Sequence, residues 1–317
     1  MQALTYNNGV SLETTLPQPT PQKGEALVRI TLAGICATDL EIIKGYMDFK
    51  GVLGHEFTGV VEGPPRSKFL GKRVVGEINI GCGNCTLCKN GEKNHCPRRK
   101  VLGILNRDGA FAEFLTLPEA NLHLIPVNLT DEEAVFTEPL ASALEISKQI
   151  QIKKTDTICV LGDGRLGLLT AMALSFTGAS ICAIGRHPEK LALLKDYDIE
   201  TQTNPERLNK FDITVDATGS SSGVGLALRL TKPRGTVVIK TTAHDRDEID
   251  LNALVINEQT LVGSRCGPFD KAIEMLSSKK IDVNPLITKT FALSDGLSAI
   301  EFAASKGTLK VLIDTSR

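Results

Sequence analysis

The chain contains no tryptophan, only 3 tyrosines, and no surplus of either charge: 36 Lys and Arg stand against 37 Asp and Glu, for a formal net charge of −1. A chain without basic excess has no electrostatic footprint for nucleic acid or an anionic membrane, so neither partner is expected. The start, MQALTYNNGV, lacks a basic segment followed by an apolar run. No secretory signal is read there, and a cytoplasmic location is expected. Long uncharged runs are scarce too. Leu166 to Gly185 is long enough for a bilayer, but Gly178, Ala179 and Ser180 interrupt it, so it reads as a buried helix followed by a buried strand. No internal repeat or low-complexity tract is present.

What remains is an ordinary globular composition over 317 residues, enough for two domains with their own cores. To about Ala134 the chain alternates short apolar runs with Gly and Pro. ALVRITLAGI, FTGVVEG, KRVVGEINI and AFAEFLTL read as strands of an antiparallel, barrel-like domain. DEEAVFTEPLASALEISKQI then reads as a helix with Asp131 and Glu132 at its start. Beyond it strands and helices alternate, from TICVLGDG to TVVIKT, which predicts a doubly wound parallel sheet. The tail, with a last strand LKVLIDT, is expected to pack back on the first domain.

Cysteine is plentiful, at 8 residues. Without an export signal this favours metal binding over disulfides. Cys82, Cys85, Cys88 and Cys96 are spaced C-x2-C-x2-C-x7-C among Gly81, Gly83 and Gly91. Four thiolates on a tight loop suit a closed, structural zinc site. Free thiols and an iron–sulfur cluster stand as alternatives, although the spacing departs from the common ferredoxin runs. Lys89, Lys93, Arg98, Arg99 and Lys100 around the quartet read as a solvated lobe. Cys159 and Cys182 fall in apolar strands and read as core. A second set combines Cys36, in CATD, with His55 and Glu56, in GHEFTGVV. Thiolate, imidazole and carboxylate form a zinc-type set that leaves room for an exchangeable ligand.

TICVLGDGRLG places a strand before Gly162, Gly164 and Gly167 and a helix after them. In that context G-x-G-x-x-G makes a tight turn whose free N–H groups receive a pyrophosphate. The candidate cofactor residues are Gly162, Gly164, Arg165, Leu166 and Gly167, with Thr218 further on. The next strand, SICAI, ends in Gly185, Arg186 and His187 instead of an acid that would hold a ribose 2′-hydroxyl. Arg186 either binds a 2′-phosphate or merely opens the next helix. The missing acid favours the first, so NADP(H) is expected over NAD(H).

Taken in order, CATD (Cys36–Asp39), GHEFTGVV (Gly54–Val61), the cysteine quartet, GAFAEF (Gly109–Phe114), EPLA (Glu138–Ala141), GDGRLG (Gly162–Gly167) and LKVLID (Leu309–Asp314) span nearly the whole chain. With these motifs the chain resembles the zinc-dependent medium-chain dehydrogenases/reductases of the alcohol, polyol and threonine dehydrogenase type. The resemblance implies a GroES-like antiparallel β-barrel catalytic domain (1–135, completed by 266–317) and a doubly wound parallel-sheet (Rossmann) NAD(P)-binding domain (136–265), with the active site between them. It implies two zinc ions per chain. Cys36, His55, Glu56 and Glu138 would hold the catalytic one, and Cys82, Cys85, Cys88 and Cys96 the structural one. By the same resemblance Thr38 would take the substrate proton, Glu56 would be a direct or intermittent ligand, and Asp39 would orient the zinc histidine. Ser142 would lie beside the nicotinamide, and Lys310 would approach the cofactor pyrophosphate. A homodimer or homotetramer acting on a small alcohol or carbonyl compound is implied.

Three features depart from the family pattern. Glu41 stands where many relatives carry a proton-relay His, the interval from Cys36 to His55 is shortened around Tyr46 and Met47, and Gly185 replaces the acid. The expected function is a zinc-dependent alcohol or polyol dehydrogenase using NADP(H). The rival readings are a non-catalytic NADPH- and zinc-binding regulator on the same fold, an NAD-dependent threonine or polyol dehydrogenase, and a zinc-free reductase.

Overall fold

The computed structural model describes residues 1–205, 210–242 and 249–316. The chain divides into two compact units, Met1–Glu138 with Ala272–Arg317, and Pro139–Lys271. The sequence had suggested divisions at 135/136 and 265/266.

The first unit is built around the strand Glu25–Ile35. Its apolar residues Ala26, Val28, Ile30 and Leu32 recur at every second position and are buried, as a strand with one face on a core requires. It pairs antiparallel with Glu56–Gly63 along one edge. Along the other it pairs with Phe114–Pro118 and then with Lys310–Asp314. Arg73–Gly76 and Leu122–Leu124 extend the sheet on one side and Ile287–Ala292 on the other. The C-terminal strand thus joins a barrel-type sheet begun near the N-terminus. The run KRVVGEINI is two strands rather than one, Arg73–Gly76 and Asn79–Ile80. The expected helix from 131 is likewise two, Asp131–Ala134 and Thr137–Gln149. The first is capped by Thr130, whose side chain accepts from the Glu133 amide while Glu133 reaches back to Thr130 N.

The second unit is a six-stranded parallel sheet in the order Ile199–Gln202, Ser180–Ile184, Thr157–Leu161, Phe211–Asp216, Thr231–Ile239, Thr260–Gly263. Helix Arg165–Ser175 and strand Ser180–Ile184 account for the uncharged run, and among the described residues no helix is long and apolar enough to cross a membrane. Cys159 and Cys182 lie buried in adjacent strands, and burial pushes both thiols up, Cys182 to about 12.

Glu77, beside the barrel strand Arg73–Gly76, pairs with His123 Nε2 at 2.9 Å and with Lys93 Nζ, from the cysteine lobe, at 2.6 Å. Burial raises its pKa, but the bonds from His123 and Lys93 outweigh this and hold it below the ordinary carboxylate range. A depressed folded pKa contributes stability that is present above the unfolded pKa and is lost as pH falls through the folded one. Glu77→Gln is therefore expected to cost about 1.5–3 kcal/mol at neutral pH. The difference in Tm from wild type should shrink as pH falls from about 5 to 3, which thermal melts at several pH values would read.

Candidate metal centres and dinucleotide-binding turn

Cys36 leaves the central strand and becomes the N-cap of helix Ala37–Ile43, with extended backbone angles. Asp39, at the third helical position, is fully buried. Its Oδ2 accepts from the Cys36 amide at 2.8 Å, and its Oδ1 lies 3.1 Å from His55 Nδ1. One carboxylate thus orients both ligands. Since a carboxylate can only accept, Nδ1 carries the proton and Nε2 is left to bind a metal. Burial works against an imidazolium at His55, but Asp39 and then Cys36 outweigh it and hold the uncomplexed ring well above its ordinary range. Metal binding there displaces a proton.

Glu56 is buried beside His55. Gly34 pairs opposite it, and a Cβ at position 34 would run into its Oε2. That oxygen is bonded by Lys310 Nζ, whereas Oε1 is buried with no hydrogen-bond partner. A buried carboxylate oxygen without a partner is costly, and a cation resolves the cost. One ligand atom each from Cys36, His55 and Glu56 lie within 4.8 Å of one another. The residues therefore fit a zinc-type ion. The Thr38 hydroxyl stands 3.8 Å from Cys36 Sγ, and one helical turn on, Glu41 pairs with Lys44 Nζ at 2.8 Å. The short link from Cys36 to His55 turns through Met47 and Asp48, both at positive φ.

One expectation is corrected here. Lys310 does not stand ready for a pyrophosphate: its side chain is wholly buried, bonded to Glu56 Oε2 and to Ile35 O at 3.4 Å, with the Phe136 ring centroid 5.6 Å away. It opens the strand Lys310–Asp314, whose first four residues are all buried. Glu138, the fourth ligand that the resemblance implied, is half-buried. It sits in the first turn of helix Thr137–Gln149, where a carboxylate complements the helix dipole, and it has an interaction of its own.

The four sulfurs of Cys82, Cys85, Cys88 and Cys96 also lie within 4.8 Å of one another. The Asn84 amide lowers Cys82 to about 6 and the Cys82 amide lowers Cys96, while burial raises Cys88 to about 11. Arg98 Nη2 lies 3.3 Å from Cys82 Sγ, so at least one cation of the basic run balances the sulfur charge rather than only facing solvent.

In the second unit, Gly162 takes φ +112° and Gly164 caps helix Arg165–Ser175. A Cβ at Gly167 would collide with Gly162 O, while one at Gly164 would meet nothing, so the turn is closed on itself and open where a phosphate would approach. Arg165 and Leu166 form the first turn of this helix. Thr218, just beyond strand Phe211–Asp216, donates its amide and hydroxyl to Asp216 Oδ1 at 3.0 and 2.7 Å. Gly185 follows strand Ser180–Ile184, so these positions share the carboxyl edge of the sheet.

The expectation that no carboxylate stands at this corner is corrected. Asp163, between the first two glycines of the turn, reaches over Gly185, and its Oδ2 accepts from Arg186 N at 2.6 Å, His187 N at 2.7 Å and His187 Nδ1 at 3.0 Å. The ground for expecting NADP(H), an acid-free corner, is thereby removed. Asp163 was missed because the acid was sought on the second strand; an acid inside G-x-G was the available signal. Lys240 was also missed: its Nζ donates to Ser142 O at 2.6 Å and to Ser142 Oγ at 2.9 Å.

Known proteins resemble this chain in sequence and fold. Residues 22–127 match the alcohol dehydrogenase GroES-like domain and residues 166–278 the zinc-binding dehydrogenase domain. D-arabitol-phosphate dehydrogenase from Enterococcus avium is 30% identical over 99% of this chain and 96% of its own. Sorbitol dehydrogenase from Halalkalibacterium halodurans is 28% identical over 94% and 93%. A zinc-binding dehydrogenase from Sinorhizobium meliloti, solved bound to NADP, superposes with a TM-score of 0.89 at 28% identity, covering 99% of this chain and 98% of that one. The Escherichia coli alcohol dehydrogenase RspB, solved with NADH, gives 0.88 at 28% identity, covering 99% of each.

Proposed function

The chain belongs to the zinc-type medium-chain dehydrogenase/reductase family, and from that premise we propose a zinc-dependent alcohol or polyol dehydrogenase that passes a hydride between a carbinol carbon and a nicotinamide. The observation that carries this reading is the grouping of half-buried Cys36 with buried His55 and Glu56, with the Glu56 Oε1 acceptor left without a protein partner. Those three side chains hold the catalytic zinc, with Glu138 as a further ligand, and Asp39 keeps His55 Nε2 turned to it. Zinc supplies Lewis acidity to the substrate oxygen. Thr38, beside Cys36, takes or returns the hydroxyl proton. The cysteine quartet holds a second, structural zinc. Gly162, Gly164, Arg165, Leu166, Gly167 and Thr218 bind the dinucleotide, whose nicotinamide carries the hydride. Arg186 by itself favours NADP(H), and Asp163 opposes it.

A polyol substrate is supported by the sorbitol and arabitol-phosphate dehydrogenases among the relatives. We read the protein as a cytoplasmic homodimer or homotetramer. The oligomer is supported by exposed Leu251, Val255 and Ile256, which precede the outermost strand of the parallel sheet. The test is a nicotinamide-absorbance screen over alcohols, polyols, β-hydroxy amino acids and aldehydes with both cofactors, alongside elemental analysis. Turnover with two zinc ions per chain is the expected result. Full zinc and cofactor binding without turnover would leave a regulator instead, and less than one zinc per chain would sink the metal assignment.

A further inference from the structure

We propose that Asp163 makes this chain select NAD(H) over NADP(H), by delivering from the glycine-rich turn the carboxylate that a dinucleotide fold ordinarily carries at the end of its second strand. The inference rests on reading this corner as the dinucleotide site and deepens that reading.

The argument begins with space. Position 185 has no side chain, and an added Cβ would come within 2.5 Å of Asp163 Oδ2. The Asp163 carboxylate fills the volume that an acid on the second strand would otherwise enter. The glycine at 185 and the acid at 163 are therefore one exchange: a side chain removed from one strand end makes room for a side chain from the neighbouring turn.

Hydrogen bonding comes next. Arg186 N and His187 N are consecutive amides, a donor pair suited to an anion such as a ribose 2′-phosphate. Both are already taken by Asp163 Oδ2, at 2.6 and 2.7 Å, and His187 Nδ1 adds a third donor at 3.0 Å. The carboxylate occupies the cradle that a 2′-phosphate would need. None of these bonds uses Oδ1. A carboxylate offers about four acceptor positions, so Oδ1 remains to accept from the vicinal hydroxyls of an adenosine ribose.

Charge points the same way. Burial raises the Asp163 pKa, but the bonds from His187 and Arg186 outweigh it and keep the group ionised at neutral pH. The side chain is only 12% exposed, so a 2′-phosphate brought beside it would meet a poorly screened like charge. Arg186, in contrast, gives its amide to Asp163 and is exposed at the surface, where its guanidinium is screened.

Binding of NADH and NADPH to the zinc-loaded protein tests this by calorimetry or nicotinamide fluorescence, with no turnover required. Competition by AMP and by 2′,5′-ADP isolates the ribose end. Wild type is expected to bind NADH at least about tenfold more tightly, the scale of one charge-assisted hydrogen bond. Asp163→Ser, which frees both amides and removes the charge, should weaken NADH, strengthen NADPH and 2′,5′-ADP, and move the preference ratio by about tenfold or more. Asp163→Asn keeps the size of the side chain and tests the charge alone should the serine variant fold poorly; it should move the ratio in the same direction. Equal or tighter binding of NADPH by wild type would overturn the inference, as would an unchanged ratio in a folded Asp163 variant. Binding of neither dinucleotide would overturn the cofactor site itself. The expected binding ratios without turnover on any substrate would sink the dehydrogenase reading and leave Asp163 in its role.

Discussion

Replacing Cys36 with alanine is expected to lower turnover by about a thousandfold or more while the protein stays folded. A metal acting as Lewis acid contributes several kcal/mol to a transition state, and each ~1.4 kcal/mol is tenfold in rate. Removing the sulfur leaves His55 and Glu56, and Glu56 is already shared with Lys310. The fold should persist, because what Cys36 does for the backbone it does as an N-cap whose amide bonds to Asp39, and alanine keeps that amide. Cys88→Ala should behave in the opposite way. Its sulfur belongs to the closed quartet, where binding energy is folding energy for the loop from Gly81 to Cys96. Zinc content should fall from two to one in either variant. A large loss of Tm and early proteolysis within the lobe should appear only for Cys88→Ala. Retained turnover in Cys36→Ala with both zinc ions present would remove Cys36 from the catalytic centre.

Lys310→Met is expected to destabilise the first unit by about 3–5 kcal/mol, the usual cost of stranding one member of a buried ion pair. Both side chains of the Lys310–Glu56 pair are fully buried. Methionine fills a similar volume without charge, leaving the buried Glu56 carboxylate without the cation that now bonds its Oε2. For a unit of this size the loss corresponds to a drop in Tm of roughly 6–20 °C. Adding Glu56→Gln should recover part of the loss, because the stranded charge is gone. The single variant should also lose less when zinc is loaded than when it is stripped, since the ion compensates Glu56 through its other oxygen. Calorimetry on both forms checks this, and an unchanged Tm for Lys310→Met would show that the pair carries no net stability.

Much of this molecule was legible before any fold was known, and for local reasons. The quartet Cys82–Cys96 is closed by one short loop, so spacing alone brings the four sulfurs together. The turn Gly162–Gly167 likewise depends on neighbours in sequence, since the Gly167 contact with Gly162 O lies within one strand-to-helix bend. Alternation of strands and helices implied the parallel sheet, and an apolar run set off by Gly and Pro implied the strand Glu25–Ile35. Tertiary structure alone decided the rest. Lys310 and Glu56 are 254 residues apart, and only the pairing of the C-terminal strand with Glu25–Ile35 brings the lysine to the carboxylate instead of toward a cofactor. Asp163 meets the end of the second strand because parallel pairing sets Leu161 beside Ile184, a neighbour relation that no pattern within either segment encodes.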